Sequence, residues 1–384
     1  MHYFLTTLLL TLALCLQSVP TATAQRVRPD AKLTVGQKAP DFNLKGVDGK
    51  QYTLASFAGK DILVFIFTAN HCPTAQAYEG RMEQLHADYS NKGVQVIAVS
   101  PNDPLAIRLD ELGWTDIGDH YEEMQYRAEQ RGWEFPYLYD GDTQAMSRKY
   151  DPVSTPHAYV FDKSRTLRFV GRIDDNEDPA KVKSHDTRNA IEALLAGKEP
   201  PVTSTKTFGC SIKWSDKRSS VQATFDKWAK EPVTIKTIDE TGIKALVAND
   251  TRKLRLINMW ATWCGPCVTE FPDLIEINRM YRKRPFEMIT ISADEPDQQA
   301  AALEFLQEQQ ASTINYIFNS DDKYAMIEAL DPEWPGPLPY TILVEPGGNV
   351  LYRHLGEVDP MELKQVIVDW VGRFYHSPRG RGYK

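Results

Sequence analysis

The sequence predicts two α/β domains in tandem. Apolar runs of strand length alternate with helix-like segments over residues 35–196, and the same alternation begins again at residue 233. Strands that alternate with helices are typical of α/β domains. The length of 384 residues also suits two or three domains. We therefore expect two domains, each with its own sheet and its own flanking helices.

The elements follow from local patterns. Residues 61–68 are almost continuously apolar, as in a strand buried on both faces, and Asp48-Gly49 is a turn signal between two short extended stretches. Gly197 stops a helix, and Pro272 kinks one. The remaining predicted strands are 94–100, 135–139, 157–162, 167–173, 234–238, 255–261, 286–293, 314–318, 340–345 and 350–354; the predicted helices are 74–91, 104–112, 122–131, 143–150, 188–196, 240–247, 268–282, 298–309, 323–330 and 361–375.

The two halves repeat one plan. The strand cores 64–67 and 256–259 lie equally far ahead of Cys72 and Cys264, and each cysteine stands where a strand gives way to a helix. A later proline, then a hairpin and a final helix, closes each half. Residue identities differ between the halves, so the match is one of pattern. We infer a tandem duplication of one fold.

Residues 198–226 are rich in Ser, Thr and Pro and have no long apolar period, which predicts a linker. The linker contains Gly-Cys-Ser-Ile-Lys-Trp at residues 209–214. Because a linker seldom carries Cys and Trp, we expect this segment to dock on a domain.

The N-terminus predicts a cleaved secretory signal at residues 1–24. An apolar run at residues 4–16 is followed by Ala22-Thr23-Ala24, an A-x-A cleavage pattern. The alternative is an uncleaved anchor. Cleavage would remove Cys15 and leave four cysteines in an oxidising compartment outside the cytoplasm, across the inner membrane.

Charge and composition limit the function classes. The formal net charge is −8 and no long basic block occurs, so a nucleic-acid partner is not expected. Residues 377–384 form a short basic tail. Five cysteines, of which two are close together, fit a redox site better than a disulfide framework. We expect no metal and no cofactor.

The pair Cys264 and Cys267 carries the clearest chemistry. A helix N-terminus offers free N–H groups and a partial positive charge, and both favour the nucleophilic thiolate. Two cysteines three residues apart can close and reopen a disulfide. The alternative is half a zinc site, but the chain has no second Cys-x-x-Cys pair. We therefore predict a dithiol–disulfide exchange site.

Residues 263–267, Trp-Cys-Gly-Pro-Cys, are identical to the active-site motif of thioredoxins. Asn258 stands where thioredoxin has a buried acid, and Glu270 and Pro272 follow in a Glu-x-Pro pattern. These features resemble the TlpA-like branch of extracytoplasmic thiol–disulfide oxidoreductases in the thioredoxin superfamily. The resemblance covers residues 233–375. It implies a thioredoxin-like domain, a central mixed β-sheet flanked by helices.

The resemblance also implies roles. Cys264 is the more exposed thiol that attacks a substrate disulfide, and the more buried Cys267 then displaces the product. Glu270 lies three residues after Cys267 on the same helix face, and a buried carboxylate there suits a proton acceptor for Cys267. The alternative for Glu270 is a solvated first-turn residue.

Three further residues belong to this implied site. Pro339 is the cis-proline that faces the cysteines, and Leu338 offers its backbone to a substrate strand. Trp263 shields the site. The alternatives are a plain loop proline and a tryptophan that belongs to the core.

The first half resembles the peroxiredoxin-like group of redoxins over residues 34–214, which implies a second thioredoxin-like domain. The matching stretches are residues 36–42, 70–73, 135–138, 155–156 and 209–214. The last match assigns Cys210 to this domain. Pro156 takes the position of Pro339, and this similarity makes it a candidate substrate-binding residue.

The first half departs from peroxiredoxins in three places. Phe65 and Ala69 stand where peroxiredoxins have Pro and Thr or Ser ahead of the reactive cysteine, and no Arg lies near Pro156. Cys72 is therefore either a nucleophile that Cys210 resolves, or a remnant in a binding domain.

The expected domains are a peroxiredoxin-like domain at residues 33–197 and a TlpA-like domain at 227–376. The first hypothesis is an extracytoplasmic reductase of protein disulfides that acts through Cys264 and Cys267. Its partners are disulfide-containing protein clients and a membrane or extracytoplasmic electron donor. The second is a peroxide reductase with Cys72 as the reactive thiol. In the third, the first half is a non-catalytic module that binds clients.

Overall fold

The computed structural model describes residues 32–375. The predicted signal at residues 1–24 and the basic tail at 377–384 lie outside these residues. Two β-sheets, one in each half of the chain, form the centres of two domains. None of the described helices combines the length and apolar character needed to cross a membrane.

The first domain is built on a seven-stranded sheet with the order β2-β1-β5-β4-β3-β6-β7. Its strands are β1 (Asn43–Gly46), β2 (Gln51–Thr53), β3 (Ile62–Phe67), β4 (Val94–Ser100), β5 (Tyr137–Tyr139), β6 (His157–Phe161) and β7 (Leu167–Gly171). Its helices are α1 (Pro73–Tyr89), α2 (Tyr121–Arg131), α3 (Ala145–Tyr150) and α4 (Asp186–Leu195), and α5 (Arg218–Trp228) follows before the second domain.

The second domain is built on a six-stranded sheet with the order β13-β12-β9-β10-β11-β8. Its strands are β8 (Lys236–Ile238), β9 (Leu254–Trp260), β10 (Phe286–Ser292), β11 (Ile314–Phe318), β12 (Tyr340–Val344) and β13 (Val350–Leu355). Its helices are α6 (Glu240–Ala248), α7 (Gly265–Tyr281), α8 (Gln299–Glu308), α9 (Lys323–Leu330) and α10 (Pro360–Val371).

The two sheets share a five-stranded core of the same topology. The central strands β3 and β9 each have a parallel neighbour on one side and an antiparallel neighbour on the other. Every residue of both strands is buried, as expected for strands covered by helices on both faces. The structure therefore confirms two mixed sheets flanked by helices.

Two predicted segments differ from the structure. Residues 104–112, predicted as a helix, form two separate 3-10 turns, Pro104–Ala106 and Leu109–Glu111. Leu109 and Leu112 pack against the hydrophobic core of the second domain instead of closing a helix on their own domain. In the predicted linker, helix α5 occupies part of the stretch that we expected to lack regular structure. It buries Val221 and Trp228.

The linker binds both domains. Its segment 203–205 pairs with the edge strand β7 through Val170, and Arg218 contacts Asp103 of the first domain. At the other end of α5, the Trp228 ring lies below the guanidinium groups of Arg279 and Arg282. The linker is therefore a packed element between the domains.

The end of α7 in the second domain contacts residues 113–116 of the first domain. The Tyr281 hydroxyl donates to the Thr115 carbonyl at 2.6 Å, and Arg284 Nη1 donates to the Gly113 carbonyl at 2.7 Å. A side chain on Gly113 would meet the Met280 carbonyl at 2.6 Å, so this close approach requires glycine. These contacts hold the two domains together.

Arg373, just after α10, closes the same interface. Its guanidinium donates to both carboxylate oxygens of Asp116, at 2.8 and 3.0 Å, and Asp116 is buried. Two residues later, the Tyr375 ring packs edge-on against Trp114 at 4.6 Å between centroids. The end of the second domain thus lies on the first domain.

We predict that Arg373→Met lowers the free energy of unfolding by at least about 3 kcal/mol, because a hydrogen bond to a charged group contributes about 1.5–3 kcal/mol and the buried Asp116 loses two of them. Urea unfolding followed by circular dichroism measures the change. Lys163→Met is the control, since Lys163 pairs with Asp61 on an exposed surface within one domain. Its loss should stay below about 1 kcal/mol. Equal losses of unfolding free energy in the two variants would show that the interface contact stabilises the protein no more than an exposed ion pair does.

Candidate active site

Cys264 caps the N-terminus of α7. Its Sγ accepts the backbone N–H of Cys267 at 3.3 Å, and its carbonyl accepts the N–H of Val268. Cys264 and Cys267 are joined by a disulfide, with their Cα atoms 5.3 Å apart. Cys264 keeps 5% of its surface exposed and Cys267 none. A sulfur that accepts an N–H at the positive end of a helix is stabilised as a thiolate.

The turn before Cys264 is fixed by a buried aspartate. Asp294 follows β10, and its carboxylate accepts the Thr262 hydroxyl at 2.7 Å and the Thr262 N–H at 3.1 Å. The Ser292 hydroxyl donates to the same carboxylate. Trp263 points outward from this turn and is 68% exposed, so it covers the rim of the site and is not part of the core.

Glu270 is a buried acid one turn beyond Cys267. Oε1 accepts from Asn258 Nδ2 at 2.9 Å, and Oε2 accepts the Val358 N–H at 3.0 Å. Burial raises the pKa of Glu270 to about 7, although both hydrogen bonds favour the carboxylate. The alternative of a solvated first-turn glutamate is therefore wrong. Asn258 Nδ2 also donates to the Thr341 hydroxyl, which fixes the amide beneath the site.

The Leu338–Pro339 peptide bond is cis. The Leu338 side chain packs against the hydrophobic cluster that contains Cys264 and Cys267. The Leu338 N–H and C=O make no hydrogen bond within residues 32–375. An open backbone edge therefore lies beside the disulfide.

Cys72 repeats the geometry of Cys264. It caps α1, its Sγ accepts the Ala75 N–H at 3.4 Å, and its carbonyl accepts the Gln76 N–H at 2.9 Å. The Thr155–Pro156 bond is cis, as at Pro339. In contrast to Cys264, Cys72 is fully buried, and its thiol donates to the Thr155 carbonyl at 3.3 Å.

Cys210 lies directly against Cys72. The two side chains pack in one cluster, and both cysteines are free. Burial opposes ionisation of Cys72, but the Cys210 hydrogen bond and the charge of His71 outweigh it, so the pKa of Cys72 is lowered. The hydrogen bond to Cys72, followed by burial, raises the pKa of Cys210. Of the two thiols, Cys72 is thus the one that ionises more readily.

A buried network holds His71 next to Cys72. His71 Nδ1 contacts Asp119 Oδ2 at 2.8 Å, and the Asn102 amide donates to the same oxygen at 2.7 Å. Burial lowers the pKa of His71, but the Asp119 charge more than offsets this and the pKa is raised. The other carboxylate oxygen of Asp119 accepts the N–H groups of Asn70 and His71. A protonated His71 places positive charge beside the Cys72 sulfur.

Sequence reasoning missed Asp119, Asn102 and Asp294. They come from loops far from the cysteines in the sequence, and no motif connects them to the sites. Asp294 and Asn102 each stand two residues after a strand, where the carboxyl ends of neighbouring parallel strands meet, and this position is the signal that could have indicated them.

Metal ligation has no support from grouped side chains. Within residues 32–375 no three His, Cys, Asp or Glu side chains gather in a group that could hold a metal ion. The half-zinc alternative for Cys264 and Cys267 therefore gains no additional ligands.

Family models match both halves. The model of the AhpC/TSA family matches residues 35–170, and the Redoxin model matches residues 233–367. Thiol-disulfide oxidoreductase ResA of Geobacillus thermodenitrificans is 28% identical over 109 residues, which span 28% of this chain and 58% of that protein. Chloroplastic peroxiredoxin Q of Gentiana triflora is 29% identical over 155 residues, which span 39% of this chain and 64% of that protein. The chain thus spans less than two thirds of each relative.

Among solved structures, a hypothetical protein of Sinorhizobium meliloti is 30% identical, with 48% of this chain and 97% of that chain covered and a TM-score of 0.43. A thiol:disulfide interchange protein of Chlorobium tepidum is 19% identical, with 36% and 87% covered and a TM-score of 0.29. The two family models and the two repeated sheets agree with each other. The chain therefore belongs to the thioredoxin superfamily and carries two of its domains in tandem, an AhpC/TSA-type domain followed by a redoxin domain.

Proposed function

We propose that the protein is an extracytoplasmic thiol–disulfide oxidoreductase that reduces protein disulfides through Cys264 and Cys267. The observation that carries the proposal is the capped helix start: the Cys264 sulfur accepts a helix N–H, while Cys267 and Glu270 lie buried behind it. The similarity to ResA supports the same class of reaction.

The reaction has two exchange steps. The Cys264 thiolate attacks one sulfur of a client disulfide, which forms a mixed disulfide and releases the other client sulfur as a thiolate. Cys267 then transfers its proton to Glu270 and attacks the Cys264 sulfur. The client leaves reduced, and the Cys264–Cys267 disulfide is formed. Glu270 suits the proton transfer because its pKa of about 7 lies near neutral pH.

The client is held by backbone contacts in this proposal. An extended client strand pairs with the free N–H and C=O of Leu338, next to Pro339, and the exposed Trp263 ring covers the strand from the other side. A membrane or extracytoplasmic electron donor then reduces the Cys264–Cys267 disulfide. The location outside the cytoplasm is supported by the apolar run at residues 4–16 and by Ala22-Thr23-Ala24.

We propose a second activity, peroxide reduction, for the first domain, since its reactive thiol Cys72 touches a resolving thiol, Cys210. The Cys72 thiolate attacks the peroxide O–O bond and becomes a sulfenic acid as hydroxide or alkoxide leaves. The Cys210 thiol then displaces water and forms a disulfide, which the Cys264–Cys267 dithiol reduces by exchange. Phe65 and Ala69 depart from the peroxiredoxin pattern, so peroxide is the second candidate substrate class.

For the reductase, we predict that Cys264→Ser abolishes reduction of insulin disulfides, whereas Cys267→Ser retains the attack and accumulates a mixed disulfide that mass spectrometry detects.

The reduction potential of the Cys264–Cys267 couple should lie near the thioredoxin value of about −270 mV. Equilibration with glutathione buffers measures it. A value near about −120 mV, typical of the oxidant DsbA, would overturn the reductase assignment.

The raised pKa of Glu270 predicts a pH dependence of stability. The folded protein favours the neutral acid, so its free energy of unfolding falls as pH rises from the ordinary value of 4.5 through the folded value of about 7. Glu270→Gln removes this contribution, and the fall between pH 4.5 and 7 becomes smaller. Urea unfolding of the oxidised protein at both pH values measures it. Glu276→Gln, a half-exposed residue of the same helix that pairs with Lys364, should keep the wild-type fall. An unchanged fall in Glu270→Gln contradicts the assignment.

For the first domain, we predict that Cys72→Ser abolishes peroxide consumption by the reduced protein, while Cys264→Ser permits one turnover and blocks the next ones. Ferrous xylenol orange measures the remaining peroxide. Consumption that continues in Cys72→Ser at the wild-type rate rules out the peroxide reductase.

A further inference from the structure

We propose that Gly209 and Cys210 form a built-in substrate strand, which occupies in the first domain the backbone edge that stays open for a client in the second. The first domain is then closed to client proteins, and Cys72 exchanges with Cys210 of the same chain. The comparison rests on the proposed client edge at Leu338, but the test below does not use the second site.

The pairing at Thr155 is that of an antiparallel strand. Thr155 N–H donates to the Cys210 carbonyl at 2.9 Å, and Cys210 N–H donates to the Thr155 carbonyl at 3.2 Å. Thr155 directly precedes the cis Pro156, and the Cys72 thiol donates to the same Thr155 carbonyl. The strand therefore presents its cysteine side chain to the capping cysteine of α1.

Gly209 permits this approach. It has a φ of +137°, and a Cβ atom there would lie 2.0 Å from the Thr155 carbonyl oxygen. A neighbour this close belongs to the backbone of the sheet domain and cannot move aside at low cost. Glycine is thus required for the segment to lie on this edge.

The segment is also held on both sides of Cys210. Before it, the Ser154 hydroxyl donates to the Thr207 hydroxyl at 2.9 Å. After it, Lys213 N–H donates to the Asn102 side chain at 2.9 Å, and the Gln144 amide donates to the Lys213 carbonyl. Because Asn102 also contacts Asp119, the strand and the His71–Asp119 network share one anchor.

The second domain supplies the contrast. Leu338 precedes the cis Pro339 as Thr155 precedes Pro156, and Tyr340 and His157 occupy matching register positions opposite Met259 and Phe67. Yet the Leu338 N–H and C=O have no hydrogen bond among the described residues. In the same fold, the backbone edge beside Cys72 is thus occupied by Cys210, and the edge beside Cys264 is open.

The substrate of the Cys72–Cys210 pair in this proposal is a small disulfide, RSSR. The Cys72 thiolate attacks a disulfide RSSR, forms Cys72–S–SR and releases RS⁻. The Cys210 thiol gives its proton to the released RS⁻ and attacks the Cys72 sulfur, which releases the second RS⁻ and leaves a Cys72–Cys210 disulfide. RSSR is reduced to two thiols, and the two protein thiols are oxidised to one disulfide.

The test uses the full chain with Cys264→Ser and Cys267→Ser, in the reduced state, so that a negative result leaves the proposed reductase untouched. The probe is a peptide with the sequence of residues 208–214, its cysteine carried as a mixed disulfide with thionitrobenzoate. Release of thionitrobenzoate gives the rate, and mass spectrometry locates the peptide. We expect Gly209→Ala, combined with Cys210→Ser so that no thiol resolves the adduct, to raise labelling of Cys72 by the peptide at least tenfold over Cys210→Ser alone. Gly197→Ala, at a positive φ of +68° with no atom near its Cβ, should leave the rate unchanged.

Cys210→Ser removes the thiol and keeps the backbone of the strand. This variant keeps the proposal testable if Gly209→Ala does not fold. The strand backbone remains in this variant, so we expect peptide labelling of Cys72 to stay as slow as in the parent. Glutathione disulfide should instead leave a persistent Cys72–glutathione adduct, because no resolving thiol is present. Rapid peptide labelling of the parent, or of Cys210→Ser, would overturn the proposal.

Discussion

The interaction on which both sites depend is a sulfur that caps a helix. In each domain a fully buried strand ends, the chain turns, and the cysteine side chain accepts a backbone N–H of the first helical turn. The N–H groups at a helix start have no partner within the helix, so a sulfur placed there is both a hydrogen-bond acceptor and the favoured site of negative charge. The strand fixes the position of the sulfur, and the helix start favours its thiolate.

Around this shared arrangement the two domains differ in what approaches the sulfur. In the second domain, Cys267 on the same helix provides the second thiol, and Glu270 lies buried behind it. In the first domain, Ala75 stands three residues after Cys72, and the second thiol comes from the linker at Cys210. The charge that favours the thiolate comes from His71, which Asp119 holds in place. The two domains thus place a second thiol beside the capping cysteine in different ways, from the same helix in one domain and from the linker in the other.

The domains are joined by charged and aromatic contacts. Arg284 donates to carbonyls of both domains and stacks on Trp114, with its guanidinium carbon 3.4 Å from the ring centroid. Arg373 neutralises the buried Asp116. The Tyr375 ring packs on Trp114, whose carbonyl accepts the side-chain amide of Gln76 on α1, four residues after Cys72. The interface therefore connects the second domain to the surroundings of Cys72.

The sequence by itself determined the two α/β domains, the cysteines at the strand–helix junctions and the pairing of each with a later proline, because strand burial, helix starts and prolines are local properties. It also indicated that the linker docks. The contact between Cys72 and Cys210, the Asp119 network, the 3-10 turns at residues 104–112 and the domain interface were decided by the tertiary structure alone. Each of these joins residues far apart in the chain, where hydrogen bonds and packing outweigh the local propensity of the segment.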